Sequence, residues 1–214
     1  MDFDEARREM VQAQLESRGI RDRRVLTAMA RVPRERFVLP EDRQRAFDDC
    51  PLPIGHAATI SQPYIVALMT EALRPGPGEK ILEVGSGSGY QCAVLAELGA
   101  TVYSVELVEA LSLRARALLA ELGYRAHFRV GDGHDGWPEA APFSGILVTA
   151  APRRVPPALV AQLQPRGRMV IPVGDLAQDL LLLENSEQGL RQTPLTAVRF
   201  LPLLEAPHRG DTAH

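Results

Sequence analysis

Three acidic residues, Glu83, Glu106 and Asp132, stand where a chain alternating strands and helices would carry them at its strand ends. Glu83 opens the stretch Glu83-Val84-Gly85-Ser86-Gly87-Ser88-Gly89-Tyr90, between an apolar run at 80–84 and the helical pattern Cys92, Ala93, Leu95, Ala96, Leu98. Glycines at 85, 87 and 89 let the backbone turn sharply and bring its N–H groups close to a ligand, so a nucleotide-like ligand is expected there. The dinucleotide fingerprint G-x-G-x-x-G needs a third small residue where this chain has Tyr90, so a pyrophosphate cofactor fits less well, and a dehydrogenase with it. Glu106 follows Gly89 by the length of one helix and one strand, which places its carboxylate to accept both hydroxyls of a ribose; Asp132, after the next strand, is placed to accept from an adenine amino group. Acidic residues also cap helices that follow strands, and for either residue alone that reading is as good. Three in register after three successive strands favour a ligand.

The elements that must position these residues follow from periodicity. Residues 4–18 carry Met10, Val11 and Leu15 at helical spacing and stop at Gly19; a second helix, capped by Asp22, shows Val25, Leu26 and Met29 on one face before Val32-Pro33 ends it. Arginines crowd this region, among them Arg7, Arg8, Arg23, Arg24, Arg34 and Arg36, but interleaved Glu and Asp favour a solvated face over a nucleic-acid surface. From 47 to 64 proline and glycine preclude long regular structure while Leu52, Ile54 and Ile60 call for burial, so this loop is expected to be pinned to the body. Ser61 or Gln62 then caps a helix with Pro63 in its first turn. Past the glycine turn, strands are expected at 101–105, 126–130, 145–149 and 168–173, with helices at 110–122 and 157–163. This alternation predicts an α/β, Rossmann-like, mostly parallel doubly wound sheet whose ligands lie beyond the carboxyl ends of the strands, where Gly85, Glu106, Asp132 and Thr149 fall. Segments 179–184 and 197–203, around turn residues 185–189, predict an antiparallel hairpin at the sheet edge. The expected organisation is a helical cap and covering loop at 1–62, the core at 63–205, and a loose tail at 206–214.

Composition bounds the function. The chain has 214 residues, 45% hydrophobic and 24% charged, which suits one globular domain. A net charge of -3 indicates no general affinity for nucleic acid or anionic lipid. The acidic start Met1-Asp2-Phe3-Asp4-Glu5 lacks an apolar signal segment, and the aliphatic run 180–183 is too short to span a bilayer. Cys50 and Cys92 are expected as reduced thiols of a cytoplasmic protein, and the scattered histidines offer no metal-ligand spacing, so no metal is expected.

The spacing E-x-G-x-G-x-G resembles the first motif of S-adenosylmethionine-dependent methyltransferases, in which the leading carboxylate, here Glu83, pairs with the methionine ammonium group. Further matches run in order along the chain: Pro53-Ile54-Gly55, Thr59-Ile60-Ser61-Gln62-Pro63, Gly131-Asp132-Gly133, Pro142-Phe143, Val148-Thr149-Ala150-Ala151-Pro152, Ile171-Pro172-Val173-Gly174 and Val198-Arg199-Phe200-Leu201-Pro202-Leu203. Together they resemble the protein-L-isoaspartate (D-aspartate) O-methyltransferase family, and Thr59-Ile60-Ser61 after Pro-Ile-Gly is the most restricted of them. The chain departs from the family at His56-Ala57-Ala58, a change expected to touch the substrate rim and not the reaction.

The resemblance implies methyl transfer from S-adenosylmethionine to the free α-carboxylate of L-isoaspartyl residues, with D-aspartyl residues as a further candidate and S-adenosyl-L-homocysteine as product. The methyl ester then cyclises to a succinimide, whose hydrolysis returns some normal aspartate. By the same resemblance Ser61 is the catalytic residue, its hydroxyl bonded to the substrate carboxylate, with Thr59 and Ile54 also contacting substrate. The cofactor is expected among Ile60, Gln62 and Tyr64 of the covering loop, Gly85, Ser86, Gly87 and Gly89 of the turn, and Glu83, Glu106, Leu107, Asp132, Gly133 and Thr149. The implied partners are isoaspartyl peptides and unfolded or aged proteins, with no nucleic acid, no membrane and a monomeric chain. A carboxylate of pKa about 4 is already ionised at neutral pH, so the nucleophile needs no general base. Catalysis then comes from alignment, with the acceptor oxygen held about 3 to 3.5 Å from the methyl carbon. The segment 148–152 lacks the Asn/Asp-Pro-Pro-aromatic pattern of enzymes that methylate base amines. Arg153 and Arg154 beside it are read as solvated surface or as a contact for an acidic peptide. Two alternatives stay open: a carboxyl methyltransferase for a small acid or a ribosomally made peptide, and a nucleotide-binding module without catalysis, which leaves Thr59-Ile60-Ser61 unused.

Overall fold

In the computed structural model, which describes residues 2–206, the chain opens with helix α1 (Phe3–Met10), whose first-turn N–H groups at Asp4 and Glu5 are taken by the Asp2 carboxylate. It continues through a π-helical turn (Val11–Leu15) and a 3-10 turn (Glu16–Arg18), then stops at Gly19 with φ +98°. Helix α2 (Arg23–Arg31) is capped by Asp22, which accepts from the Arg24 N–H. Both helices match their sequence patterns. The proline- and glycine-containing stretch that follows is more ordered than a pinned loop: it forms a short antiparallel hairpin, β1 (Leu52–Gly55) and β2 (Ala58–Ile60), with Leu52 opposite Ile60. Leu52, Ile54 and Ile60 are buried, as their types require. Helix α3 (Pro63–Leu73) starts directly after it with Gln62 at the N-cap and no side chain capping it, so the cap expected of Ser61 or Gln62 is not made. Pro63 lacks an N–H to satisfy and its fixed φ suits the first turn, which lowers the need for a cap.

The remaining elements are β3 (Lys80–Val84), α4 (Tyr90–Glu97), β4 (Thr101–Glu106), α5 (Glu109–Glu121), β5 (Ala126–Val130), β6 (Phe143–Val148), α6 (Pro157–Ala161), β7 (Leu163–Gly174), β8 (Gln178–Ser186) and β9 (Gly189–Val198). The seven strands from β3 onward form one sheet in the order β5-β4-β3-β6-β7-β8-β9. Pairings from β5 through β7 are parallel, and β8 and β9 add antiparallel. This is the Rossmann-like sheet with an antiparallel C-terminal hairpin. The chain winds outward through β4 and β5, then returns to lay β6 on the other side of β3. At that reversal the loops leaving β3 and β6 diverge, and a crevice opens at their carboxyl ends.

Two strand boundaries differ from expectation. β7 begins at Leu163, not at 168, which shortens α6 to Pro157–Ala161. β9 covers Gly189–Val198 instead of 197–203: the turn after Ser186 closes at once, and the register pairing Gln178 with Val198 exhausts β8 there. Pro194 is tolerated within β9 because that strand is an edge. The following residues leave the sheet, and Ala151 holds them: its N–H donates to the Leu201 carbonyl at 2.8 Å and its carbonyl accepts from the Leu203 N–H at 2.9 Å. The expected loose tail lies, beyond Ala206, outside the described residues.

One apolar cluster joins Met10 and Leu15 of the N-terminal helices to Ile54 and Ile60 of the hairpin and to Leu95, Val102 and Leu180 of the core. A second cluster, with Leu82, Val84, Phe143 and Leu159, includes the alternate positions of β3. Each such side chain contributes about 1.5–3 kcal/mol on burial, which fastens the hairpin to the sheet as firmly as a regular element.

Candidate active site

The crevice has a volume of about 1000 Å³. Thr59, Ser61 and Gln62 form one part of its wall, Gly85 and Gly87 another, and Glu106, Leu107, Gly133 and Thr149 follow from successive strand ends. Parallel strands in register deliver the last group together, since β3 pairs with both β4 and β6.

Gly85 has φ +92°, and a Cβ there would lie 2.3 Å from Thr149 Oγ1. That hydroxyl sits within hydrogen-bond distance of the Gly85 carbonyl (2.7 Å) and the Val84 carbonyl (3.0 Å), tying the loop after β6 to the glycine turn. A Cβ on Gly133 would meet Val84 Cγ1 at 2.5 Å and Leu203 Cδ1 at 3.0 Å. Any side chain at either position would displace part of the wall.

Glu106 is 8% exposed and accepts from two backbone donors, Gly87 N–H at 2.9 Å through Oε2 and Val108 N–H at 3.0 Å through Oε1. The local bonds are made, and they are compatible with the ligand reading. A carboxylate has about four acceptor directions, so two backbone bonds fix its orientation and leave capacity for two hydroxyls.

Glu83 lies behind this wall, completely buried in β3. Ser104 Oγ donates to its Oε2 and approaches Ser86 Oγ, while Oε1 is buried with no partner. Burial pushes its pKa up to about 8 against the Ser104 hydrogen bond, and the charge of Glu106 adds to the rise. Burial likewise pushes up the neighbouring Cys92 thiol. Both cysteines are free.

Asp132 is not on the crevice wall, although Gly133 is. Its Oδ1 accepts from the His134 N–H (2.8 Å) and faces His134 Nδ1 (2.9 Å), and its Oδ2 accepts from the Ala206 N–H (2.7 Å). Burial works to raise its pKa, and the donors from Ala206 and His134 outweigh that, holding the carboxyl below its usual range. The chain's own returning C-terminal segment thus takes much of the acceptor capacity expected for adenine.

The covering loop is bolted from outside. Gln62 Nε2 donates to Asp49 Oδ1 at 2.7 Å, Asp49 Oδ2 accepts from Arg18 at 2.8 Å, and the Arg18 guanidinium lies 3.6 Å from the centre of the Tyr64 ring. Gln62 therefore lines the crevice with its amide turned to Asp49, and Tyr64 lies off the wall beneath Arg18. Ile54 is fully buried, and its carbonyl accepts from Arg114 at 2.8 Å, so it supports Gly87 instead of facing the crevice. Ile60 and Ser86 meet Ser61 around a smaller recess of about 40 Å³ between the loop and the turn. Gly89, with φ +87°, starts α4 behind the crevice.

Two groups were not legible as site residues. Phe200, Leu201 and Leu204 line the crevice, and Leu201 and Leu204 are 44% and 60% exposed. Their alternation reads as a strand; Pro202, which cannot donate to a ladder, is the signal against it. Arg7 and Arg34, expected on a solvated face, are both buried. Arg7 is paired with Glu35 and Asp4, whereas Arg34 has no carboxylate partner among the described residues.

The wall suits a nucleoside. Glycine faces it where a Cβ would intrude, the Glu106 acceptors are oriented, and its other side is apolar. A solved structure described as a putative protein-L-isoaspartate O-methyltransferase from Plasmodium falciparum in complex with S-adenosyl-L-homocysteine superposes with a TM-score of 0.81 at 25% identity, covering 93% of this chain and 98% of that one. Fold and crevice together define an S-adenosylmethionine-dependent methyltransferase. The profile of the family described as protein-L-isoaspartate(D-aspartate) O-methyltransferase matches residues 5–207. A protein-L-isoaspartate O-methyltransferase of Gloeobacter violaceus is 53% identical over 197 residues, 91% of this chain and 96% of that protein. One of Anaeromyxobacter dehalogenans is 56% identical over 194 residues, 88% and 93% of the respective chains. The chain belongs to the protein-L-isoaspartate (D-aspartate) O-methyltransferase family.

Proposed function

We propose that this enzyme methylates the free α-carboxylate of L-isoaspartyl residues in damaged proteins, starting their return to aspartate through a methyl ester and a succinimide. The observation that carries the proposal is that Ser61 shares one crevice wall with the glycine turn and Glu106. When bound, S-adenosylmethionine supplies a methyl group on a sulfonium centre and is released as S-adenosyl-L-homocysteine.

The residues of the chain supply position. Glu106, held by two backbone donors, receives the ribose hydroxyls; Gly85 and Gly133 keep the wall open; Thr149 fixes the loop that faces the turn. Glu83, buried behind the turn with its pKa raised by burial, backs the wall through the Ser104 and Ser86 hydroxyls and does not face the crevice. The Ser61 hydroxyl donates to the acceptor carboxylate and orients it. That carboxylate arrives ionised, so no proton has to be removed, and the Ser61 side of the crevice would hold it toward the methyl group that bound S-adenosylmethionine would supply. Phe200, Leu201 and Leu204 on the crevice wall exclude water and meet the peptide flanking the acceptor. Orientation of this kind supplies roughly 7–11 kcal/mol of barrier reduction in well-aligned systems.

The reading extends to a monomeric cytoplasmic enzyme acting on unfolded or aged proteins, with D-aspartyl residues as a second acceptor and neither nucleic acid nor membrane as a partner. The net charge of -3 supports the last point, since it indicates no general affinity for nucleic acid or anionic lipid. Among the described residues no helix is long and apolar enough to cross a membrane. Incubating an isoaspartyl peptide with enzyme and S-adenosylmethionine is expected to give a peptide methyl ester that decays to succinimide, followed by mass spectrometry. Absence of the ester while the protein binds S-adenosyl-L-homocysteine would overturn the assignment.

A further inference from the structure

We propose that Arg34 is a positioning residue for the Ser61 hydroxyl, setting the acceptor against the cofactor turn from inside the fold. The proposal rests on the reading of Ser61 given above. Arg34 is 0% exposed, and its guanidinium is spent on two carbonyls: Nε donates to Ala46 O at 2.7 Å and Nη2 to Ser61 O at 2.8 Å. The guanidinium carbon lies 4.8 Å from the centre of the Tyr90 ring, and Tyr90 is the first residue of α4 after the glycine turn. Phe37 packs against the same ring edge-on at 5.4 Å. One side chain thus touches the loop that carries the acceptor-binding hydroxyl and the element that carries the cofactor turn.

Burial of this kind is not explained by packing. A guanidinium taken out of water without a carboxylate gives up much of its solvation, and an unbranched apolar side chain such as Met would fill most of the space without that cost. The buried Arg7 shows the usual solution, pairing with Glu35 at 2.9 Å and Asp4 at 3.1 Å. Arg34 has neither kind of partner among the described residues, and its Nη1 is buried without any hydrogen bond. The function served is geometric: a planar fork fixes two carbonyls at once, which an ammonium on a flexible stem cannot do. Ser61 needs such a support because no side chain caps α3, and the outer bolt through Asp49 acts on Gln62 and leaves the Ser61 carbonyl to Arg34.

The test uses the full chain with Arg34→Lys and Arg34→Met, alone and combined with Ser61→Ala. Turnover is measured on an isoaspartyl peptide, affinity for S-adenosyl-L-homocysteine by calorimetry, and folding by thermal unfolding. Arg34→Lys keeps the charge and loses the fork; it is expected to lower kcat at least tenfold while product affinity stays within threefold. In the Ser61→Ala background the same change is expected to cost less than twofold, because contacts acting through one another are not additive. Equal fold-losses in both backgrounds, an unchanged kcat, or failure of both variants to fold would overturn the proposal, the last because it would make Arg34 a folding residue. Full activity in Ser61→Ala alone would instead remove the reading of Ser61, so the two failures are distinguishable.

Discussion

Replacing Glu83 by Gln is expected to remove the pH dependence that this one carboxyl imposes on folding. Glu83 is completely buried, with Ser104 bonded to one oxygen and nothing bonded to the other. Its pKa moves from 4.5 to about 8, with burial the largest cause. In the unfolded chain it ionises near 4.5, so between that pH and about 8 the folded state holds a proton that the unfolded state has released. The stabilisation is therefore complete below 4.5, declines as pH rises, and is lost by about pH 8. At about 1.4 kcal/mol per pH unit, the loss between pH 4.5 and pH 7 is about 3 kcal/mol. Gln cannot ionise, keeps an acceptor for Ser104, and escapes that loss. Urea unfolding of both proteins at half-unit steps of pH should show Glu83→Gln gaining on wild type by about 3 kcal/mol across this window, within a factor of two. Asp22 and Asp132, whose pKa values are lowered, act with the opposite sign but equally in both proteins, so they cancel in the difference. A difference independent of pH, or one that grows in favour of wild type, would refute the reasoning.

Three further outcomes follow from the site. Ser61→Ala should cut turnover on an isoaspartyl peptide by roughly 10- to 100-fold, the worth of one hydrogen bond to a charged group, while thermal unfolding stays unchanged because Ser61 does not cap α3; a lowered melting point with normal turnover would contradict this. Glu106→Gln places an amide N–H₂ against the Gly87 or Val108 N–H, and calorimetry should show S-adenosyl-L-homocysteine affinity falling by roughly 100-fold. Gly133→Ala should lower both stability and cofactor affinity, since its methyl would sit 2.5 Å from Val84 Cγ1; a destabilisation of about 1–3 kcal/mol is expected for such overpacking, and a neutral variant would mean the wall yields.

The features legible in the sequence are those that depend on short spacing. Gly85 and Glu106 are one strand–turn–helix–strand unit apart, so their meeting follows from right-handed parallel winding, and Thr149 joins them because β6 pairs with β3. Partners set by distant chain were illegible. Asp132 follows the end of β5, as the alternation predicts, yet nothing local tells that Ala206 returns to occupy it. Ser61 has good capping chemistry, but Pro63 starts α3 without needing it. The segment after β9 has the alternation of a strand broken by Pro202, and the length of β8 leaves no partner for it. Arg34 looks like its solvated neighbours in sequence, because whether an arginine is buried is decided by what packs over it.

The most direct measurement is a pair of synthetic peptides identical except that one carries isoaspartate where the other carries aspartate, each incubated with this enzyme and methyl-labelled S-adenosylmethionine. Base-labile label on the isoaspartyl peptide alone is the predicted result. Equal label on both peptides, or none on either from protein that binds S-adenosyl-L-homocysteine, would contradict the account.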